Sequence, residues 1–277
     1  MSQPSDASGS DRAARFLALH RPGQPLLLPN PWDLGSARVL ESLGFEALAT
    51  TSSGFAATLG RPDGAVSRDQ AIAHGGLIAA ATPLPVSADL ENGFADDPQD
   101  VAETVRLAIE AGLAGCSVED YTGNGEDPIY EVSFAVDRVA AAAGAAHSGP
   151  QQLVLTARAE NYLHGRDDLS DTIDRLQRYA GAGADVLYAP GLSRADDIRA
   201  VVEAVDRPVN VLAFAGAPPV ARLAELGVAR ISVGGAFAYV ALGALAEAAH
   251  ELRTAGTYGY LRGAAVGRQA ASTAFSP

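Results

Sequence analysis

One phrase recurs along the chain and limits what it can fold into. A helical stretch rich in Ala and Leu meets a glycine, then a short apolar run, then a polar residue. It reads ESLGFEALATTSS at 41–53, EAGLAGCSVED at 110–120, AGAGADVLYAP at 180–190 and AELGVARISVGG at 224–235. A glycine just past a helix supplies the left-handed turn that ends it. The apolar runs that follow are near-continuous rather than alternating, as in a parallel sheet covered on both faces. Similar runs at 26–30, 84–90, 153–160 and 208–213 bring the strands to eight. Helical patterns lie between them at 33–43, 68–81, 98–112, 130–144, 168–182, 193–205, 218–226 and 236–254. Strict alternation of this kind predicts an α/β fold, a (β/α)8 TIM barrel. A doubly wound open sheet is the alternative, and no GxGxxG after the first strand favours it. Nothing divides the 277 residues into two units. The expectation is a disordered or extended tail over 1–19 and one barrel domain over 20–277.

Composition removes several classes of function. Hydrophobic residues make up 48% of the chain, enough for a sizeable core. No apolar run approaches the roughly 18–20 residues that span a bilayer. The polar N-terminus carries no charged-then-apolar signal, so the chain reads as cytoplasmic. A single cysteine, Cys116, excludes an internal disulfide and thiolate-rich zinc or iron–sulfur sites. The five histidines show no HExxH or HxH spacing. A net charge of −13 opposes nucleic acid as a partner.

Chemistry in such barrels sits at the C-terminal ends of the strands. Strand 1 ends in Asn30, strand 2 in Thr50 to Gly54, and strand 3 in Asp89 and Glu91. Strand 4 ends in Glu119 and Asp120, strand 5 in Arg158 and Glu160, strand 6 in Tyr188 and strand 7 in Asn210. Acids therefore gather on neighbouring strands 3, 4 and 5. Converging carboxylates raise one another's pKa unless a cation offsets them, and one arginine does not offset four or five acids. Oxygen ligands without histidine or cysteine select Mg²⁺ or Mn²⁺ over Zn²⁺. The alternative is that these acids cap helices or pair with arginines. Ser52, Ser53 and Gly54 suit a carboxylate or phosphonate, or simply cap the next helix. Arg158, at the end of an apolar strand, calls for an anionic partner, either a ligand or a rim acid.

These stretches resemble the isocitrate lyase/phosphoenolpyruvate mutase superfamily over residues 20–250. The resemblance is carried by TTSSGFAATLGRPDG (50–64), SADLENGFADDP (87–98), AGLAGCSVEDYTGN (111–124), LTARAENY (155–162) and GVARISVGG (227–235). It implies a Mg²⁺-dependent barrel acting on 2-oxo acids and their adducts. The family's acidic metal motif, D-x-D-x-G-Y-G, is similar to the stretch from Asp89 to Ala95, with Glu91 in place of the second Asp. Its I-E-D motif is similar to Val118-Glu119-Asp120, and its catalytic arginine falls on Arg158. Its G-x-P-D segment makes Asp63 a further candidate near the metal. The oxo-acid cradle falls on Thr51, Ser52 and Ser53. The family also swaps a C-terminal helix between subunits, which implies a homodimer or homotetramer. Two departures stand out. The lyase cysteine loop, K-x-C-G-H, is replaced by YTGNGEDPIYE (121–131), and the mutase loop D-K-x-F-P-K-x-N is absent.

The resulting expectation is a lyase or decarboxylase of a small, oxaloacetate-like 2-oxo acid or its C–C adduct, working through an enolate. Asp89, Glu91, Glu119 and Asp63 would serve the metal. Thr51, Ser52, Ser53, Gly54, Arg158 and Asn210 would bind the substrate. Arg158, Glu119 and Tyr121 would be catalytic, with Tyr121 a proton donor on a glycine-containing lid over 121–134. The alternatives are a P–C bond hydrolase or mutase acting on phosphonopyruvate, and a barrel that binds a 2-oxo acid without turning it over.

Overall fold

The computed structural model describes residues 9–275. Eight parallel strands form one sheet: β1 (Leu26–Leu28), β2 (Leu48–Ala49), β3 (Val86–Asp89), β4 (Gly115–Glu119), β5 (Val154–Arg158), β6 (Val186–Tyr188), β7 (Val209–Leu212) and β8 (Arg230–Ser232). Their order is β1-β8-β7-β6-β5-β4-β3-β2. The remaining gap, between β1 and β2, is bridged by the Ala49 amide donating to the Pro29 carbonyl at 3.1 Å. Asn30 reinforces the closure. Its Nδ2 donates to the Thr50 carbonyl, and its Oδ1 accepts from the amides of Val233 and Gly234. The expected TIM barrel is the fold observed.

Helices follow the strands because their starts are written locally. α2 (Leu34–Ser42) opens on a capping box of Asp33 and Ser36, and α4 (Arg68–Ala81) on one of Ser67 and Gln70. α5 (Pro98–Glu110) has Asp97 as its cap and a proline in its first turn. α6 (Val132–His147), α7 (Leu169–Gly181), α8 (Ala195–Ala204), α9 (Val220–Glu225) and α10 (Ala236–Thr254) complete the expected ring. Besides the N-terminal helix described below, two helices were not anticipated: the seven-residue α3 (Ser52–Thr58) after β2, and α11 (Leu261–Ala274), which packs against α2. No described helix is long and apolar enough to cross a membrane.

The core has two parts. An outer shell between helices and strands holds Ile78, Val101, Leu176, Tyr179 and Ile198, together with Cys116, whose thiol burial pushes above its ordinary range. An inner cluster fills the lower barrel with Leu26, Leu28, Ala49, Val154 and Val186.

The expectation of a tail over 1–19 is corrected here. Residues 9–18 form a helix, α1 (Gly9–Ala18), that closes the barrel floor; residues 1–8 lie outside the described residues. Phe16 is 0% exposed and reaches the backbone of Gly115, where an added Cβ would stand 2.7 Å from the ring. This helix escapes sequence reading because only Ala13 and Phe16 mark its buried face, too few to establish a period.

Above that floor the interior turns polar. Ser87, Ser117, Thr156, Asn210, Arg230 and Ser232 are buried or half-buried there, where branched apolar side chains are the rule.

Candidate active site

The strand register brings the acids together. Asp89 pairs with Ser117, Glu119 with Arg158 and Arg158 with Tyr188, so the ends of β3 to β6 lie level at the rim. Arg158 is the centre. Its Nη1 lies 2.9 Å from Asp89 Oδ1, its Nη2 3.0 Å from Glu119 Oε2 and its Nε 2.7 Å from Glu160 Oε1. The guanidinium also lies over the Tyr188 ring, 5.2 Å from its centroid. Asp89 is fixed from both sides: Oδ2 accepts from the Ser52 amide at 3.1 Å, and its own amide donates to Thr50 Oγ1.

Beyond Asp89 the chain makes a tight turn in which two non-glycine residues take the left-handed region, Glu91 at φ 48° and Phe94 at φ 58°. Such conformations persist where surrounding contacts enforce them. The enforcing group is Arg138 from α6, 1% exposed. It donates to the carbonyls of Asn92, Ala95, Asp96 and Glu119, and lies 4.1 Å from the Tyr130 ring centroid. Sequence reasoning missed Arg138 because it stands in an alanine-rich helix with no motif around it.

Asp120 does not face the site. It accepts from Arg175, from the Tyr179 hydroxyl at 2.6 Å and from the Glu160 amide at 2.8 Å, bracing the strand ends from behind. Glu160, by contrast, joins the cluster directly. It was visible as a strand-end acid, but the family's acidic motif fell on Glu119 and Asp120 rather than on it.

The electrostatics show more buried carboxyl groups than one guanidinium offsets. Burial, then the neighbouring Asp89 and Asp63 carboxylates, push Glu91 up to about 7, only partly offset by Arg158. Burial likewise raises Glu119 well above the ordinary carboxylate range, and raises Glu160, with Arg158 opposing in both. Burial disfavours a charged Arg158, yet Glu119, Glu160 and Asp89 hold its pKa well above the usual value. Three carboxylates thus share one guanidinium, with Glu91 beside them.

Two connected spaces adjoin this cluster. An open cleft of about 1450 Å³ is lined by Ser52, Asp63, Glu91, Glu119, Tyr121 and Arg158. A narrower cavity of about 150 Å³ descends into the barrel past Thr51, Ser52, Ser53, Asp89 and Asn210. Gly54 lines neither. Its amide donates to the Thr51 Oγ1 cap of α3, and it packs against Trp32 and Ala238. Tyr121 stacks on His164, ring centroids 4.0 Å apart. Its loop is a hairpin closed by the Tyr121–Ile129 bridge and by the Thr122 amide donating to the Pro128 carbonyl.

Asp63, Glu91 and Glu119 line the open cleft and Asp89 the cavity that adjoins it, but Asp89 and Glu119 each commit an oxygen to Arg158. Among the described residues no three acids, histidines or cysteines form a ready metal cage. The donor set and its charge surplus nonetheless fit a hard divalent cation. Mg²⁺ keeps several waters and takes only one or two carboxylates directly.

A family model for phosphoenolpyruvate phosphomutase matches residues 16–253. The chain belongs to the phosphoenolpyruvate mutase/isocitrate lyase superfamily. Within it, a Burkholderia cenocepacia structure described only as a lyase/mutase is 53% identical, with a TM-score of 0.93 over 97% of this chain and 98% of that one. An uncharacterised Mycobacterium tuberculosis protein is 35% identical over 222 residues, 79% of this chain and 81% of that protein. Oxaloacetate acetylhydrolase bound to oxalate is 26% identical, with a TM-score of 0.83 over 92% and 90% of the two chains. The superfamily relatives also include 2-methylisocitrate lyase and 2,3-dimethylmalate lyase.

Proposed function

We propose that this superfamily member is a Mg²⁺-dependent lyase or decarboxylase of a small, oxaloacetate-like 2-oxo acid or its C–C adduct. The observation that carries the reading is the buried carboxylate surplus around Arg158, on a rim open to a polar cavity. Relatives named for oxaloacetate and dimethylmalate support the substrate class.

Asp89, Glu91, Glu119 and Asp63 would hold Mg²⁺, or Mn²⁺, largely through water. When bound, the ion stabilises negative charge developing on the substrate's oxygens. The protein's residues do the rest. Ser52 and Ser53, at the first turn of α3, offer hydroxyls to the substrate carboxylate beside the Thr51 cap. Asn210 contributes from below. Arg158, held rigid by Glu160, carries positive charge toward the oxygen on which the enolate charge collects. Tyr121 stands at the cleft as the proton donor, its ring oriented by His164.

The largely exposed α10 presents Val240, Leu242, Leu245 and Leu252 to solvent. An apolar face of this kind supports assembly into a homodimer or homotetramer.

The test is a screen of 2-oxo acids and their adducts with Mg²⁺, read by release of CO₂ or of a 2-oxo acid product. Turnover of an oxaloacetate-like acid, lost with chelator, is expected. Turnover of phosphonopyruvate alone would assign P–C chemistry instead, and metal-dependent binding without any product would make this a binding barrel.

A further inference from the structure

A second guanidinium lies inside the barrel, below the rim, and the acid cluster does not reach it. Arg230 opens β8 and is 4% exposed. Its Nη1 donates to Thr156 Oγ1 at 3.1 Å and to His20 Nε2 at 3.3 Å. His20 Nδ1 lies 2.9 Å from the Phe16 carbonyl, which leaves Nε2 as the acceptor. Arg230 Nε has no hydrogen-bond partner among the described residues. The titratable groups bearing on Arg230 are Tyr188, Arg158 and His20, and none is an anion at neutral pH. Burial draws the guanidinium down to about 10, which leaves it cationic at pH 7.

A buried cation with no counter-charge is costly, and it is retained where a ligand supplies the missing anion. The surroundings fit such a ligand. Arg230 lines the inner cavity of about 150 Å³, whose mouth carries Ser52, Asp89 and Arg158. Arg158 at the mouth is already taken by three carboxylates. The guanidinium left to meet an incoming carboxylate is therefore the deep one.

We infer that Arg230 binds the far carboxylate of a short dicarboxylic substrate, whose reacting end stays at the rim beside Asp89. This rests on the reading of the rim as a 2-oxo acid site, and it narrows that site to dicarboxylates. Arg230 then sets specificity by charge rather than by taking part in bond cleavage.

The test measures binding of three probes by calorimetry in Mg²⁺: succinate, butyrate, which has one carboxylate fewer, and oxalate, which spans only the rim. Wild-type protein is expected to bind succinate at least about tenfold tighter than butyrate, the scale of one charge-assisted contact. Arg230→Met should erase that ratio while leaving oxalate affinity within about twofold. Arg230→Lys should retain part of it. Removing an unpaired buried charge should leave the melting temperature unchanged or higher. Equal affinities of succinate and butyrate in wild-type protein would overturn the proposal before any variant is made. So would an unchanged ratio in Arg230→Met, or an equal loss of oxalate and succinate binding. Failure of oxalate to bind wild-type protein would count against the rim reading instead, and the succinate-to-butyrate ratio would still decide the role of Arg230.

Discussion

Arg158 and Asp89 lie on strands two apart in the sheet, yet Nη1 and Oδ1 are 2.9 Å from each other. The second Asp89 oxygen is held by the Ser52 amide. That pairing joins the start of α3, the end of β3 and the end of β5 at one point. A change at Asp89 therefore reaches the acid cluster and the carboxylate-binding turn together.

Asp89→Asn should lower metal-dependent turnover by about 100-fold or more, the scale of a lost electrostatic contact in a preorganised site. Its far-UV circular dichroism and melting temperature should stay close to wild type, because Asp89 stands at the rim and outside both core clusters. Steady-state kinetics beside a thermal melt checks both halves. Full activity in this variant would remove Asp89 from the site.

Phe16→Ala should destabilise the protein by about 3–5 kcal/mol, the cost of truncating a fully buried aromatic side chain. A tail would show no such effect. Gly115→Ala should also destabilise, because the new methyl group meets the Phe16 ring. The two substitutions together should cost less than their sum, since each relieves the contact the other disturbs. Denaturant unfolding of the two single variants and the double variant reads this directly.

His20 ties acid stability to the barrel floor. Burial, then the positive charge of Arg230, lower its pKa from 6.5 to about 3. Below about pH 6.5 the unfolded chain takes up a proton that the folded chain refuses until about pH 3. His20 therefore makes stability fall as pH drops through that window, with a slope of up to about 1.4 kcal/mol per pH unit. Above pH 6.5 it contributes no pH dependence. The His20→Gln variant should show a shallower decline between pH 6.5 and 4 when unfolding is followed at each pH.

Much of the fold was legible because its signals are local. The glycines after α2, α5, α7 and α9 and the largely apolar strands that follow them each report on a few neighbouring residues. The acids Asp89, Glu91 and Glu119 were legible for a related reason: a strand of known direction places its last residues at the rim. What stayed hidden depends on contacts made across the barrel. Arg138 matters because four carbonyls from distant segments converge on it. Arg230 matters because Thr156 and His20, 74 and 210 residues away, meet it without a carboxylate. His164 reaches Tyr121 only once the hairpin after β4 and the turn after β5 fold side by side. Gly54 takes the second of its two sequence readings, since its amide serves the Thr51 cap, and a small residue after a strand serves a helix cap as readily as a ligand cradle.

The most direct measurement is calorimetric titration of oxalate into wild-type protein, with Mg²⁺ present and then with the metal removed by chelator. The buried carboxylate surplus predicts binding in Mg²⁺ and a loss of at least about 100-fold without it, because the acids at the rim repel a second anion unless a cation lies between them. Equal affinity with and without the metal would contradict the account, as would no oxalate binding in either condition.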